Sequence, residues 1–191
     1  PLQSGSDSVL RRMHRRYRPW HYAERIAAIR AACPEAALGA DVMVGFPGET
    51  EAEFQESYDF IAAQPFTYLH LFPFSARPAT AGWKLHRQNP VSGVAVRERM
   101  AALRTLIDQK NQIFRSTFTG KELSAVTLIS APAVAVENKA SQRHSTALTD
   151  NFLPLELDTA YPANTLVSVH ITKVTEHGLY GTALRGMAAT A

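Results

Sequence analysis

Three short stretches carry residues suited to gripping a small polar ligand: QSGS at 3–6, GFPGET at 45–50 and FPFSARPAT at 72–80. Each also has a plainer reading. Gly45 and Gly48 would serve a tight strand-to-helix turn, and Ser75 and Arg77 an ordinary surface loop. What unites the three is their position, because each follows a predicted strand end. In α/β sheets, ligands bind beyond the C-terminal ends of the strands, so all three stretches face one side. Asp41 lies inside an apolar run, where a carboxylate needs partners. His70 and Phe72, two residues apart, share a strand face that would either wall a ligand or fill a barrel. Upstream, Arg11, Arg12, Arg15, Arg16 and Arg18 crowd into RRMHRRYR. Such a cluster suits a polyanion, or forms the solvated face of a helix, and composition leaves both open.

The elements that would position these residues follow from periodicity. Ser6 and Asp7 suit the start of a helix with Leu10, Met13 and Tyr17 on its apolar face, ended by Pro19. A second helix over HYAERIAAIRAAC places Tyr22, Ile26, Ile29 and Cys33 on one side and stops at Pro34. ALGADVMVGF then reads as a strand buried on both faces of a parallel sheet. Thr50 and Glu53 form a capping-box pattern, with Phe54, Tyr58 and Ile61 behind it at helical spacing. FTYLHLFPF is a further strand, and a long helix spans about 94–114 with Met100, Leu103, Ile107 and Phe114 on one face. The alternation predicts parallel βα units. From Gly120 the texture changes to short alternating runs: SAVTLI, AVAVE, STALTD, FLPLELD, TLVSVHITKV and LYGTAL. Their even spacing predicts a small antiparallel barrel of about five strands.

Composition narrows the classes. The chain has 191 residues, 46% hydrophobic and 19% charged, which is globular rather than disordered. No apolar run approaches the ~18 residues of a membrane span, and no secretory leader is evident, so the expectation is a cytoplasmic protein with no membrane partner. The single cysteine, Cys33, rules out an internal disulfide or a multi-thiolate metal site built from this chain alone, and it reads as a small buried side chain. Formal charge is +4 over residues 1–119 and −1 over 120–191. About three βα units fit into residues 1–116, too few to close a barrel. Together with the opening at Pro1, this leads us to expect the back half of a larger protein, or else a small open sheet.

PLQSGSDSVLRRMHRRY (1–17), DVMVGFPGET (41–50) and HLFPFSARPAT (70–80), in that order, resemble the second half of the radical S-adenosylmethionine methylthiotransferases, and the last segment resembles the TRAM domain those enzymes carry. Family members commonly read R-P-G-T-P-A where this chain has RPATAG at 77–82. The resemblance implies an α/β fold: the C-terminal half of a partial (β/α) radical SAM barrel over 1–117, then a small all-β TRAM barrel over 118–188 that binds RNA. It implies S-adenosylmethionine as cofactor, held by Gln3, Ser4, Arg15, Asp41, Val44, Gly45, His70 and Phe72. Two [4Fe–4S] clusters belong to the full-length family, with their cysteine ligands in a missing N-terminal half.

The implied substrate is tRNA rather than DNA, contacted through Arg11, Arg12, Lys121, Lys139, Arg143 and Lys173. Arg185 would belong to the same patch on the second segment, and His144, His170 and His177 would add to it. HLFPFSARP and the spacing around ALTDNFLPLELD are most similar to members that thiomethylate N6-threonylcarbamoyladenosine beside the anticodon. The isopentenyladenosine enzymes, the enzymes acting on a ribosomal-protein aspartate, and a non-catalytic RNA-binding protein are the alternatives. No catalytic or metal-ligating residue is assigned to this chain, which by itself is expected to be inactive.

Overall fold

The computed structural model describes residues 1–129 and 145–184. The chain divides into two compact units, Pro1–Asn111 and Gln112–Ala191. Among the described residues, no helix is long and apolar enough to cross a membrane.

The first unit is built on parallel strands. Strand β1 (Gly39–Val44) pairs in parallel with β2 (Tyr68–Pro73), and Gln3 bridges to Val42 on the other side of β1. Gln3 N donates to Asp41 O at 2.8 Å and Met43 N to Gln3 O at 2.9 Å, so the first residues act as a third strand. Burial along β1 alternates: Ala40, Val42 and Val44 are buried, while Asp41 and Met43 are half-buried. The expected strand buried on both faces is therefore covered on one face only. Helices pack on the Val42 side, where Leu2, Ile26, Val42, Val44, Phe54, Ile61, Phe66 and Leu103 form the core. On the other side the register pairs Asp41 with His70 and Met43 with Phe72.

Helix α1 is only Asp7–Arg12, shorter than the periodicity predicts. It ends in a Schellman motif: His14 sits at φ 55°, its N–H bonds to Arg11 O, and Arg15 N bonds to Leu10 O. Pro19 therefore opens α2 (Pro19–Ala32) instead of closing α1, as its fixed φ and missing N–H suit a first helical position. Ile26 of α2 is buried, whereas Ile29 and Cys33 are exposed, so the expected buried thiol is a surface one. Helix α3 (Glu51–Ala63) carries the capping box as predicted, Thr50 Oγ1 accepting from Glu53 N and Glu53 accepting from Thr50 N. A short α4 (Ala81–Gln88), which the sequence reading missed, precedes α5 (Gly93–Ser116).

In the second unit, β3 (Glu122–Thr127), β4 (Ser145–Thr149), β5 (Pro154–Leu157), β6 (Leu166–Val174) and β7 (Leu179–Ala183) close a barrel in the order β3-β4-β5-β7-β6. The β5–β7 pair is parallel and the others antiparallel. Every second residue points in, and Leu123, Ala125, Leu155, Leu157, Val169, Ile171 and Leu179 fill the core with Phe118. A Cβ at Gly181 would lie 2.5 Å from Val169 Cγ1 and 2.7 Å from His170 O, so only glycine fits that close strand approach. The predicted strand AVAVE lies outside the described residues.

Candidate functional site

Parallel pairing puts the three loops together. Val44 and Pro73 are register partners, and Gln3 lies against Val42, so the stretches after Gln3, Val44 and Pro73 leave the same end of three adjacent strands. Phe46 and Phe74 meet edge to face at 5.5 Å and tie the second loop to the third. The first loop docks on α3. Gly5 N donates to Ser57 Oγ, and a Cβ at Gly5 would sit 2.8 Å from Phe60 Cβ.

Beside this rim lies the uncovered face of the sheet. His70 Nδ1 is 3.1 Å from Asp41 Oδ1, with side chains 75% and 45% exposed. Asp41 thus meets its need for a partner at the surface, not in the core. The half-buried Phe72 is next along the face, and Tyr68 lays its ring across Gly39, where a Cβ would lie 2.0 Å from the ring. This face offers a carboxylate–imidazole pair for hydroxyl or amine groups and aromatic surface for a flat ring.

Of the expected cofactor residues, Asp41, His70 and Phe72 share this face, and Gln3, Val44 and Gly45 lie at the strand ends. Ser4 is fully buried, its hydroxyl shared with Ser57 Oγ and Ser6 N. Arg15 is half-buried beyond the end of α1. Arg11 pairs with Asp7 at 2.8 Å. Arg12 turns inward: its guanidinium spans both oxygens of Glu53 at 2.6 and 2.7 Å and reaches Gly48 O. Ser8 Oγ and Thr50 N also donate to Glu53, and this set of donors, Arg12 foremost, holds the Glu53 carboxyl at about 2.

Sequence reading missed Glu49 and Arg99. Both are buried, and Arg99 Nη1 donates to Glu49 Oε2 at 2.8 Å. The same carboxylate oxygen accepts from Gly45 N at 2.9 Å. Burial pushes the Glu49 carboxyl up, opposed by the Gly45 amide and Arg99. Only the odd presence of a glutamate in a turn otherwise rich in Gly and Pro hinted at this role.

Residues 1–61, which hold the first two rim loops, match the family model described as the radical SAM superfamily. The front of the chain is thus similar to the radical SAM superfamily. The chain is also similar to the threonylcarbamoyladenosine tRNA methylthiotransferase MtaB of Bacillus subtilis, 36% identical over 153 residues that cover 80% of this chain and 32% of that protein. It is 34% identical over 190 residues to the tRNA-2-methylthio-N(6)-dimethylallyladenosine synthase of Acidothermus cellulolyticus, covering 100% of this chain and 37% of that one. The MtaB of Aquifex aeolicus is 40% identical over 127 residues, 66% of this chain and 30% of the relative. The chain thus spans about a third of the length of the curated relatives it matches.

The second unit holds the remaining candidates. Lys121 lies over the Phe118 ring at 5.3 Å and Lys173 over Tyr180 at 4.7 Å. Lys121 O accepts from Ile171 N, which sets Lys121, just ahead of β3, beside β6, the strand that carries Lys173. His170 is half-buried, and His177 is exposed beside Glu176. Lys139, Arg143, His144 and Arg185 lie outside the described residues.

Proposed function

We propose that the chain is the cofactor-rim and RNA-binding portion of a radical SAM tRNA methylthiotransferase acting on N6-threonylcarbamoyladenosine next to the anticodon. The observation that carries this reading is the convergence of the three loops at one end of adjacent parallel strands, beside an open face bearing Asp41, His70 and Phe72. The relatives named as a threonylcarbamoyladenosine tRNA methylthiotransferase and a tRNA-2-methylthio-N(6)-dimethylallyladenosine synthase supply the reaction class.

The open face fits S-adenosylmethionine, a flat adenine joined to a ribose and an amino-acid tail. Asp41 and His70 would hydrogen-bond its hydroxyls or amines, Phe72 would pack on the ring, and the Val44–Gly45 backbone would approach closely because Gly45 sits at φ 78°. Gln3 would bind polar groups at the adjoining strand end, and the Arg15 guanidinium would pair with the carboxylate of the tail. Ser4 would contribute by holding the first loop on α3. When bound, the cofactor supplies radical-forming and methyl-donating chemistry. An iron–sulfur cluster does not fit this chain's own residues: one cysteine, exposed, stands where several thiolates are needed. Cluster ligands would come from a preceding half of the full-length enzyme, and this chain alone would be inactive.

The second unit would act as a TRAM-type RNA-binding barrel, like other small five-stranded barrels that grip nucleic acid on a strand face. Lys121 and Lys173 would meet phosphates, joined by Lys139 and Arg143. Arg11, the more exposed of the α1 pair, would add a contact, while Arg12 serves Glu53 first.

The test is mass spectrometry of tRNA nucleosides from a strain lacking the full-length gene, complemented with wild type or Asp41→Ala. Loss of the 2-methylthio form of threonylcarbamoyladenosine, restored by wild type and not by the variant, supports the proposal. Loss confined to the isopentenyladenosine derivative moves the substrate to that relative's. Unchanged tRNA nucleosides overturn the reading.

A further inference from the structure

Gly45 is the residue at which β1 turns into the second rim loop, and its conformation is held from outside the loop. At φ 78° it occupies the left-handed region, and its N–H donates to Glu49 Oε2 at 2.9 Å. Glu49 N closes the turn onto Phe46 O at 2.9 Å. The Glu49 carboxylate is 2% exposed, so it needs a counter-charge, and Arg99 supplies it. Arg99 Nη1 donates to both Glu49 Oε2 and the Glu49 carbonyl, while Nε and Nη2 take Glu51 Oε2 at the first turn of α3. Its guanidinium also lies 5.3 Å from the Phe54 ring centroid. One turn earlier on α5, Val96 occupies the space a Cβ at Gly45 would need, with Cγ2 only 2.5 Å from that position. Residues three apart share a helix face, so α5 meets the turn twice, once by shape through Val96 and once by charge through Arg99.

We infer that Arg99 is a positioning residue for the S-adenosylmethionine site: acting through Glu49, it fixes the direction of the Gly45 amide and backbone on which the cofactor would rest. The inference rests on the functional reading above. Arg99 itself touches no ligand, since its donors are spent on Glu49 and Glu51. Lysine is no equivalent, because one ammonium cannot reproduce a planar fork that serves two carboxylates and a carbonyl.

The test uses the full-length enzyme as wild type, Arg99→Lys, Arg99→Met, and the double variant Arg99→Met with Glu49→Gln. The double variant removes the buried carboxylate that Arg99→Met would strand, and so keeps a folded protein for measurement. Two quantities are read: amide hydrogen exchange in the peptide spanning 41–50, and calorimetric binding of S-adenosylmethionine. Expected is faster exchange confined to that peptide in the double variant, and cofactor binding weakened by about tenfold, the worth of one charge-assisted hydrogen bond. Arg99→Lys should fall between wild type and the double variant. Exchange and binding both equal to wild type in the double variant overturn the inference, as does acceleration spread evenly over all peptides, which marks a general loss of stability. Wild-type enzyme that binds no S-adenosylmethionine overturns instead the functional reading beneath it.

Discussion

Replacing Glu53 by glutamine removes one charge while leaving an oxygen that can still close the capping box with Thr50. What it removes is the carboxylate that Arg12 grips with both guanidinium nitrogens at 2.6 and 2.7 Å. The folded chain holds Glu53 at about 2 against an ordinary 4.5. At 1.36 kcal/mol per unit, that gap sets a ceiling of roughly 3 kcal/mol. Arg12 is 34% exposed, so water and salt screen the pair, and about 1–2 kcal/mol is the expected loss at pH 7. The sign follows from the depressed value. Glu53 contributes fully above pH 4.5, and the contribution fades as pH falls towards 2. Urea denaturation of wild type and Glu53→Gln between pH 7 and pH 2.5 should show a gap that narrows across that window, and narrows again in high salt at pH 7. Arg12→Ala in the same series should be non-additive with Glu53→Gln. A gap under about 0.3 kcal/mol at pH 7, or one that stays constant down to pH 2.5, would refute the assigned ion pair.

Ala79 sits at φ 66°, in the left-handed region that favours glycine, so Ala79→Gly should raise stability by about 0.5–1 kcal/mol in thermal or urea unfolding. Gly45→Ala forces a side chain into a left-handed position against Val96 and should cost about 2 kcal/mol or more, with S-adenosylmethionine binding by the full-length enzyme lost alongside. In the barrel, Phe118→Ala empties a fully buried site and should cost about 3–5 kcal/mol, read from the urea midpoint. For RNA, replacing Lys121 and Lys173 together in the full-length enzyme should weaken tRNA binding and lower the slope of log K against log salt by about two units; an unchanged slope would remove both from the interface.

Local pattern carried much of this protein. Alternating helix and strand signals, the Thr50–Glu53 capping box and the evenly spaced short strands after Gly120 each depend on residues close in sequence, and the folded chain shows all three. Because βα units make parallel strands, the side shared by the three loops was also legible. The end of α1 was harder, since histidine rather than glycine takes the left-handed position and gives no obvious stop signal. What only tertiary structure decided are partnerships between distant residues. Arg99 meets Glu49 across 50 positions, Arg12 meets Glu53 across 41, and Ser4 meets Ser57 across 53. Which face of β1 stays open, and hence that Asp41 finds His70 at the surface, depended likewise on packing. Periodicity reports which element a segment forms, because that is settled within a few residues of backbone. Ion pairs and open faces are settled by which elements dock, and the chain encodes docking only through the sum of its contacts.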